Sequence, residues 1–303
     1  MIGTALIRAC VKNNDEILAI VRNGTNRINR LPKIDRICIE YADLDQLSSV
    51  HGDGKPYDIF YHFAWGHTSK EQRDNPVVQE QNIKATLQAV ELAKKLGCKK
   101  FIGAGSQAEY GPVDGVISAD TPAVPVTAYG IAKLSANLLS KRMCEQAGIL
   151  FIWGRIFSVY GCNDNEGTML DYAIRQFNRK ETAIFSSGTQ MWNYLNEQDA
   201  GKMFQLLGYK KIEKGTYCIA NEESRPLREY IAELRMAYGE FTQCEFAQED
   251  PKKSPMGLQV DIRKTIQAIQ YHPQISFKDG IFQMINNRKR KYNEENKCID
   301  SYL

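Results

Sequence analysis

The first half of the chain alternates short, continuously apolar runs with segments whose apolar residues return every three or four positions. "EILAIVR" (16–22), "RICIEYAD" (36–43), "DIFYHFAW" (58–65), "KKFIGAGS" (99–106) and "ILFIWGRIF" (149–157) are rich in Ile, Phe, Val and Tyr and contain no proline. Runs apolar on both faces suit the strands of a buried parallel sheet. Between them, "TALIRACVKN" (4–13), "NPVVQEQNIKATLQAVELAKKLG" (75–97) and "TAYGIAKLSANLLSKRMCEQAG" (127–148) read as helices. The middle one starts behind Asp74-Asn75-Pro76 and stops at Gly97, a good start signal and a good stop signal. Strand and helix in alternation predict an α/β fold built on a doubly wound parallel sheet, whose commonest use is dinucleotide binding.

After about residue 165 the rhythm changes. Helix patterns at 167–181, 197–211 and 226–239 alternate with short strands "MWNYLN" (191–196) and "GTYCIAN" (215–221), followed by the polar, proline-bearing stretch "AQEDPKKSPMG" (247–257). This divides the chain into a dinucleotide-binding domain over 1–164 and a smaller α/β substrate lobe over 165–303, with a segment near 190–222 returning to the first domain. The substrate is expected between the two, beyond the carboxyl ends of the parallel strands.

Composition narrows the class. The formal charge of +3 comes from 39 basic and 36 acidic residues, too balanced for a nucleic-acid footprint, and the basic cluster "NNRKRKYNEENK" reads as a solvated helix end. Eight cysteines stand singly without Cys-x-x-Cys spacing, as reduced core thiols of a cytoplasmic protein do, and four histidines show no metal-ligand spacing. No run is apolar for the length of a membrane span.

The chemistry concentrates around "TAYGIAK". Tyr129 and Lys133, four residues apart on a helix, share one face, so an ammonium can stand beside a phenol. Drawing a phenol from a pKa of about 10 to near 7 takes roughly 4 kcal/mol of differential stabilisation, which a neighbouring lysine and a positively charged nicotinamide can supply in a dry cleft. Ser106 closes the strand "KKFIGAGS" 23 residues earlier, where its hydroxyl can hydrogen-bond a carbonyl or alcohol oxygen. Ser106 in "SQAEYG", Tyr129 and Lys133 resemble the catalytic triad of the extended short-chain dehydrogenase/reductases, the NAD(P)-dependent epimerase/dehydratase family. The resemblance implies a Rossmann-like sheet and a nucleotide-sugar substrate.

It extends along nearly the whole chain. "YADLDQL" is similar to the segment that places Asp43 and Leu44 at the adenine; "YHFAW" to the strand end that lays Ala64 and Trp65 along the cofactor; and Asn82 in "EQNIKAT" to an asparagine that kinks its helix and supports a proton relay. "GRIFSVYG", with Ser158, resembles the loop that closes over the nicotinamide, and "SGTQMWNYLNEQDAG" the segment leading back from the substrate lobe. Departures bear on activity. Gln107 and Ala108 stand where the family's 4,6-dehydratases place Asp and Glu, and Glu109, by strand alternation, is expected to point to the other face from Ala108. Trp192-Asn193 replaces an Arg-Asp pair, which removes a diphosphate clamp. Trp192 and Tyr194 are read either as stacking on a base or sugar or as packing at the core or lobe interface.

Arg22, with Arg27 behind it, ends the strand that begins at Glu16, and no acid follows before Asp35, so NADP(H) is favoured over NAD. The nearest activity is then NADPH-dependent reduction of a 4-keto-6-deoxy nucleotide sugar, similar to the CDP-abequose and CDP-paratose synthase-like enzymes. The rivals are a nucleotide-sugar 4-epimerase and a catalytically silent dinucleotide-binding protein; a homodimer is left open. In "MIGTALIRAC", Gly3 reads as the third glycine of a G-x-x-G-x-x-G phosphate turn, so a first strand and two glycines are expected upstream, with Met1 internal to a longer protein.

Overall fold

The computed structural model describes residues 1–164, 166–239, 242–248 and 257–300, with side chains through residue 288. Residues 249–256 of the proline-bearing stretch, and the side chains of the basic cluster from 289 onward, lie outside the described residues. The helices are α1 (Ile2–Val11), α2 (Pro76–Lys95), α3 (Ala128–Ala147), α4 (Met169–Asn178), α5 (Glu197–Tyr209), α6 (Leu227–Tyr238), α7 (Arg263–Ile269) and α8 (Phe277–Asp300). The strands of the first half are β1 (Ile17–Val21), β2 (Ile37–Tyr41), β3 (Ile59–His62), β4 (Lys100–Ser106), β5 (Val116–Ile117), β6 (Leu150–Ile156) and β7 (Ser158–Tyr160). Those of the second half are β8 (Ala183–Phe185), β9 (Met191–Trp192), β10 (Tyr194–Asn196), β11 (Gly215–Ile219), β12 (Arg225–Pro226), β13 (Cys244–Phe246) and β14 (Gln259–Val260).

The five apolar runs of the first half all form strands, joined in parallel as β1-β2 and as the four-stranded order β11-β6-β4-β3. Helices cover both faces. Phe101 and Phe151 turn to a core shared with Val90 and Trp153, while the next residues on each strand, Ile102 and Ile152, turn to one shared with Leu6 and Phe204. α2 packs on α3 and α1 on α5. The end of α5 is fixed to the sheet by Lys100, whose ammonium donates to the carbonyls of Leu207, Gly208 and Lys210 and so meets the negative end of the helix. A third core joins Leu170, Ile174, Tyr194, Tyr230, Phe277 and Ile281 from α4, α6, α8 and β10.

The helices that carry the site begin as their sequences dictate. Asn75 accepts the Val77 N–H at 3.0 Å with Pro76 in the first turn, and Thr127 accepts the Gly130 N–H at 3.1 Å. α3 ends on Gly148 at φ 67°. The run "MWNYLN" does not form one strand. Asn193 breaks it, because its buried amide donates to Asn221 O at 2.9 Å and Glu223 O at 3.1 Å and accepts the Asn221 N–H at 2.8 Å. Of the cysteines, Cys10, Cys98, Cys144 and Cys218 are buried as expected, whereas Cys38 is exposed on β2. Among the described residues no helix is long and apolar enough to cross a membrane.

β1 and β3 are each the end strand of their own sheet among the described residues. Ile17 N–H donates to Arg36 O and Val21 O accepts from Ala42, so odd positions of β1 face β2 and Leu18 and Ile20 face away; by the same alternation Asp58 O accepts from Lys100, and Ile59 and Tyr61 face away from β4. β1 and β3 are not hydrogen-bonded to each other. In hydrogen exchange at neutral pH, amides of Leu18, Ile20, Ile59 and Tyr61 are expected to exchange at least about a hundredfold faster than those of Ile102 and Ile152 in the paired interior. Equal protection would mean that the two edges are paired in solution.

Candidate active site

The site is assembled where β4 ends and α3 begins. Ser106 is the last residue of β4 and caps a tight 3₁₀ turn over Gln107–Glu109, its Oγ accepting the Ala108 N–H at 3.2 Å. α3 presses directly onto that turn. A Cβ on Gly130 would lie 2.4 Å from the Ala108 carbonyl oxygen, so only glycine lets the helix start so close. This approach places the Tyr129 phenol beside the Ser106 hydroxyl, which favours its ionised form.

One turn later on α3, Lys133 is buried at 4% exposure. Its ammonium donates to Ala104 O at 2.7 Å and lies 3.6 Å over the Trp65 ring and 5.9 Å from the Tyr129 ring centroid. The triad read from sequence is therefore one cluster. Burial raises the Tyr129 pKa above the ordinary phenol value, opposed by the hydrogen bond from Ser106 and the positive charge of Arg73 and reinforced by the negative charge of Glu109. Burial also draws the Lys133 pKa down to about 7, Glu109 opposing and Arg73 adding to the fall. His62, buried beneath the cluster and 3.2 Å from Thr86 Oγ1, is held neutral by burial and by Lys133, its pKa lowered to about 3.

The strand-end loop beside the triad is held from α2. Asn82 Oδ1 accepts the Gly66 N–H at 2.7 Å and its Nδ2 donates to Gly66 O at 3.2 Å, while Gln79 accepts from the Trp65 indole at 3.0 Å. Asn82 thus clamps the loop that carries Ala64 and Trp65, within a helix that runs unbroken from Pro76 to Lys95. Farther along the strand tips, Asp43 accepts from Asn23 Nδ2 at 3.1 Å and Leu44 lies near Gly66. Ser158 opens β7 opposite Tyr194, and Gly3 lies in the first turn of α1, where an added Cβ would meet nothing within 4 Å. Trp192 packs against two of the apolar cores, and its ring centroid lies 6.3 Å from that of Tyr194.

Glu109 corrects the expectation from strand alternation. Because residues 107–109 form a turn and not a strand, the side chain folds back under Ser106, fully buried. It accepts from Ser106 N at 2.8 Å, Trp153 Nε1 at 2.9 Å, Arg155 Nε at 2.9 Å and Asn137 Nδ2 at 3.3 Å. It is a structural carboxylate, occupied by four donors. A sequence signal for it exists: Trp153 and Arg155 lie two apart on one strand and so on one face, and an arginine in a buried strand calls for a carboxylate partner. Arg73, 4.1 Å over the Tyr129 ring, carries no signal in the triad motif.

A parallel Rossmann-like sheet with a Ser-Tyr-Lys cluster beyond its strand ends defines the extended short-chain dehydrogenase/reductase class. Residues 1–220 match the family described as "NAD dependent epimerase/dehydratase family", and the chain belongs to it. It is 26% identical over 272 residues to a UDP-glucuronate 4-epimerase of Thermodesulfobacterium geofontis, a match covering 86% of this chain and 82% of that one. It is 25% identical over 202 residues to an uncharacterized UDP-glucose epimerase of Bacillus subtilis, where the match covers 66% of this chain and 64% of the relative. Its fold is similar to that of the UDP-glucuronic acid 4-epimerase of Bacillus cereus solved with UDP-glucuronic acid and NAD, with TM-score 0.80, 24% identity and 96% of each chain covered.

Two expectations are corrected by these relatives. They are UDP-sugar epimerases and not CDP-sugar ketoreductases. The preference for NADP(H) is overturned as well: the Bacillus cereus enzyme is solved with NAD in several structures. The physical reason lies at the strand tips. Arg22 is exposed at the end of β1, and the neighbouring tip of β2 offers the Asp43 carboxylate, so an arginine after the strand does not by itself prescribe a 2′-phosphate.

Breaking the pair beneath Ser106 from one side is expected to be costly. Arg155→Met leaves the Glu109 carboxylate buried without its cation and should lower unfolding free energy in urea by about 3–5 kcal/mol. The double variant Glu109→Gln/Arg155→Met should lose less than the sum of the single losses by about 1 kcal/mol or more. Additive losses would show that the two groups do not depend on one another.

Proposed function

We propose that this protein is a 4-epimerase of UDP-linked hexoses or hexuronates that uses NAD. The observation that carries this reading is the contact of the Tyr129 phenol with Ser106 and its placement one helical turn from Lys133, at the carboxyl end of β4. The names of the relatives support epimerisation over the ketoreduction expected from sequence.

The residues at the site suit NAD. Lys133 donates one N–H to Ala104 O, which leaves donors for ribose hydroxyls, and the Trp65 indole forms an apolar wall beside it. Asp43 and Leu44 would flank the adenine, Ala64 and Trp65 the length of the dinucleotide, and Gly3 would admit its phosphates to the start of α1. Asn82 would act by holding the Gly66 loop, and Ser158 would lie at the nicotinamide end. When bound, NAD supplies a hydride acceptor that gives the hydride back.

The protein's own groups then manage one proton. With the cofactor bound, Tyr129 as phenolate would take the proton of the sugar 4-hydroxyl as C4 is oxidised, and would return it to the oxygen as C4 is reduced from the opposite face. Ser106, buried at the end of β4, orients the oxygen. Neither Gln107 nor Ala108 offers a carboxylate, and Glu109 is held inside, so elimination of water has no acid or base on this turn.

The test is incubation of the protein with NAD and a panel of UDP-glucose, UDP-N-acetylglucosamine and UDP-glucuronate, followed by proton NMR of the sugar C4 centre. The C4 epimer should form without net reduction of NAD, and Tyr129→Phe should slow it by about a hundredfold or more. Consumption of NADPH with a 4-keto-6-deoxy sugar nucleotide, and no epimer from the panel, would restore the reductase; a Phe variant with full turnover would remove Tyr129 from the chemistry.

A further inference from the structure

The loop between β3 and α2 brings a charge to the triad that the motif does not contain. Asp74 accepts the Ala128 N–H at 2.7 Å and so ties the end of this loop to the first residue of α3, while the Arg73 N–H donates to Ser69 O at 2.9 Å in a turn. Between these anchors the Arg73 guanidinium is stacked 4.1 Å over the Tyr129 ring. The edge of Trp65 meets the same ring, with centroids 5.9 Å apart and planes at 80°.

The charged and titratable groups that face Tyr129 come from four elements. Arg73 faces it from the loop, Lys133 from α3 itself, Glu109 from the turn after β4, and the Ser106 hydroxyl from the end of β4. Glu109 is already matched by Arg155. Of the two cations, only one is permanent: a guanidinium does not deprotonate in a protein, whereas the buried Lys133 ammonium titrates at about 7.

We propose that Arg73 is a positioning residue that sets the charge balance of the Tyr129–Lys133 pair, favouring phenolate at one and repelling the proton from the other. The sign is the same for both groups. A cation over the ring stabilises the phenolate and lowers the Tyr129 pKa, and it repels the Lys133 ammonium and lowers that pKa too. Loss of Arg73 raises both. Above the Lys133 midpoint, Arg73 is the cation that still supports the phenolate.

The proposal rests on Tyr129 as the proton-transferring group, and its test separates the two. The Lys133 side-chain resonance of lysine-labelled protein, identified by its loss in Lys133→Met, is titrated by NMR without substrate. Arg73→Gln, which keeps a planar polar group on the exposed loop but removes the charge, should raise the Lys133 midpoint by roughly half a unit or more, and Arg73→Lys should leave it close to that of the unsubstituted protein. A midpoint unmoved by Arg73→Gln, or moved equally by both substitutions, would overturn the proposal. In the epimerase assay the acid limb of the pH–kcat profile should move to higher pH in Arg73→Gln, while the plateau at high pH stays; a plateau that falls with an unmoved limb would mean that Arg73 acts through structure and not charge. Absence of any epimer from the unsubstituted protein would strike the proposed activity, and the titration would still decide the role of Arg73.

Discussion

The buried carboxylate of Glu109 is the constraint on which the site depends. It receives a backbone N–H from the end of β4, an indole and a guanidinium from β6, and an amide from α3, so one side chain joins the three elements that meet under the triad. Room for it exists because the neighbouring strand residues lack side chains: a Cβ on Gly105 would lie 2.6 Å from Glu109 Oε1 and 2.2 Å from the Trp153 indole nitrogen. A charge so deeply placed costs several kcal/mol unless matched, and it is matched here by Arg155 with additional neutral donors. Its consequence for function is geometric, since Ser106 is held through its own N–H and the turn that follows is the surface on which α3 rests.

Electrostatic tuning follows from the same arrangement. Burial by itself would leave a neutral phenol, and it drives Lys133 toward a neutral amine at physiological pH. Opposite charges are placed on two sides of this pair, Glu109 from the turn after β4 and Arg73 from the loop before α2. Reduction and epimerisation share that requirement for a tyrosine that gives and takes one proton. They differ in whether the hydride returns to the carbon it left.

Much of this was legible in the residue pattern. The apolar runs at 16–22, 36–43, 58–65, 99–106 and 149–157 each form a parallel strand, but only β4 and β6 are buried along nearly their whole length, whereas Ile39 and Tyr41 of β2 are exposed. Tyr129, Lys133 and Ser106 could be brought together from helical spacing and the position of a strand end. What escaped depended on local departures from regular structure. Strand alternation does not apply to Glu109 because the chain turns after Ser106, and apolar alternation in "MWNYLN" does not reveal that the Asn193 amide binds the backbone of Asn221 and Glu223. Arg73 reaches Tyr129 only through the fold of a loop, with no spacing to announce it. The cofactor preference differs for a related reason: Arg22 and Asp43 are separated in sequence by the 3₁₀ turn at 26–30 and the whole of β2, yet their strands lie side by side.

The central claim is that one tyrosine and one bound NAD remove and restore the same hydride at C4. UDP-glucose and UDP-glucuronate carrying deuterium at C4 test it most directly when incubated with the protein and NAD in ordinary water and followed by NMR and mass spectrometry. The account predicts a C4 epimer that keeps its deuterium, because the hydride never leaves the site. Loss of the label to solvent, or accumulation of reduced nicotinamide with an oxidised sugar, would contradict it.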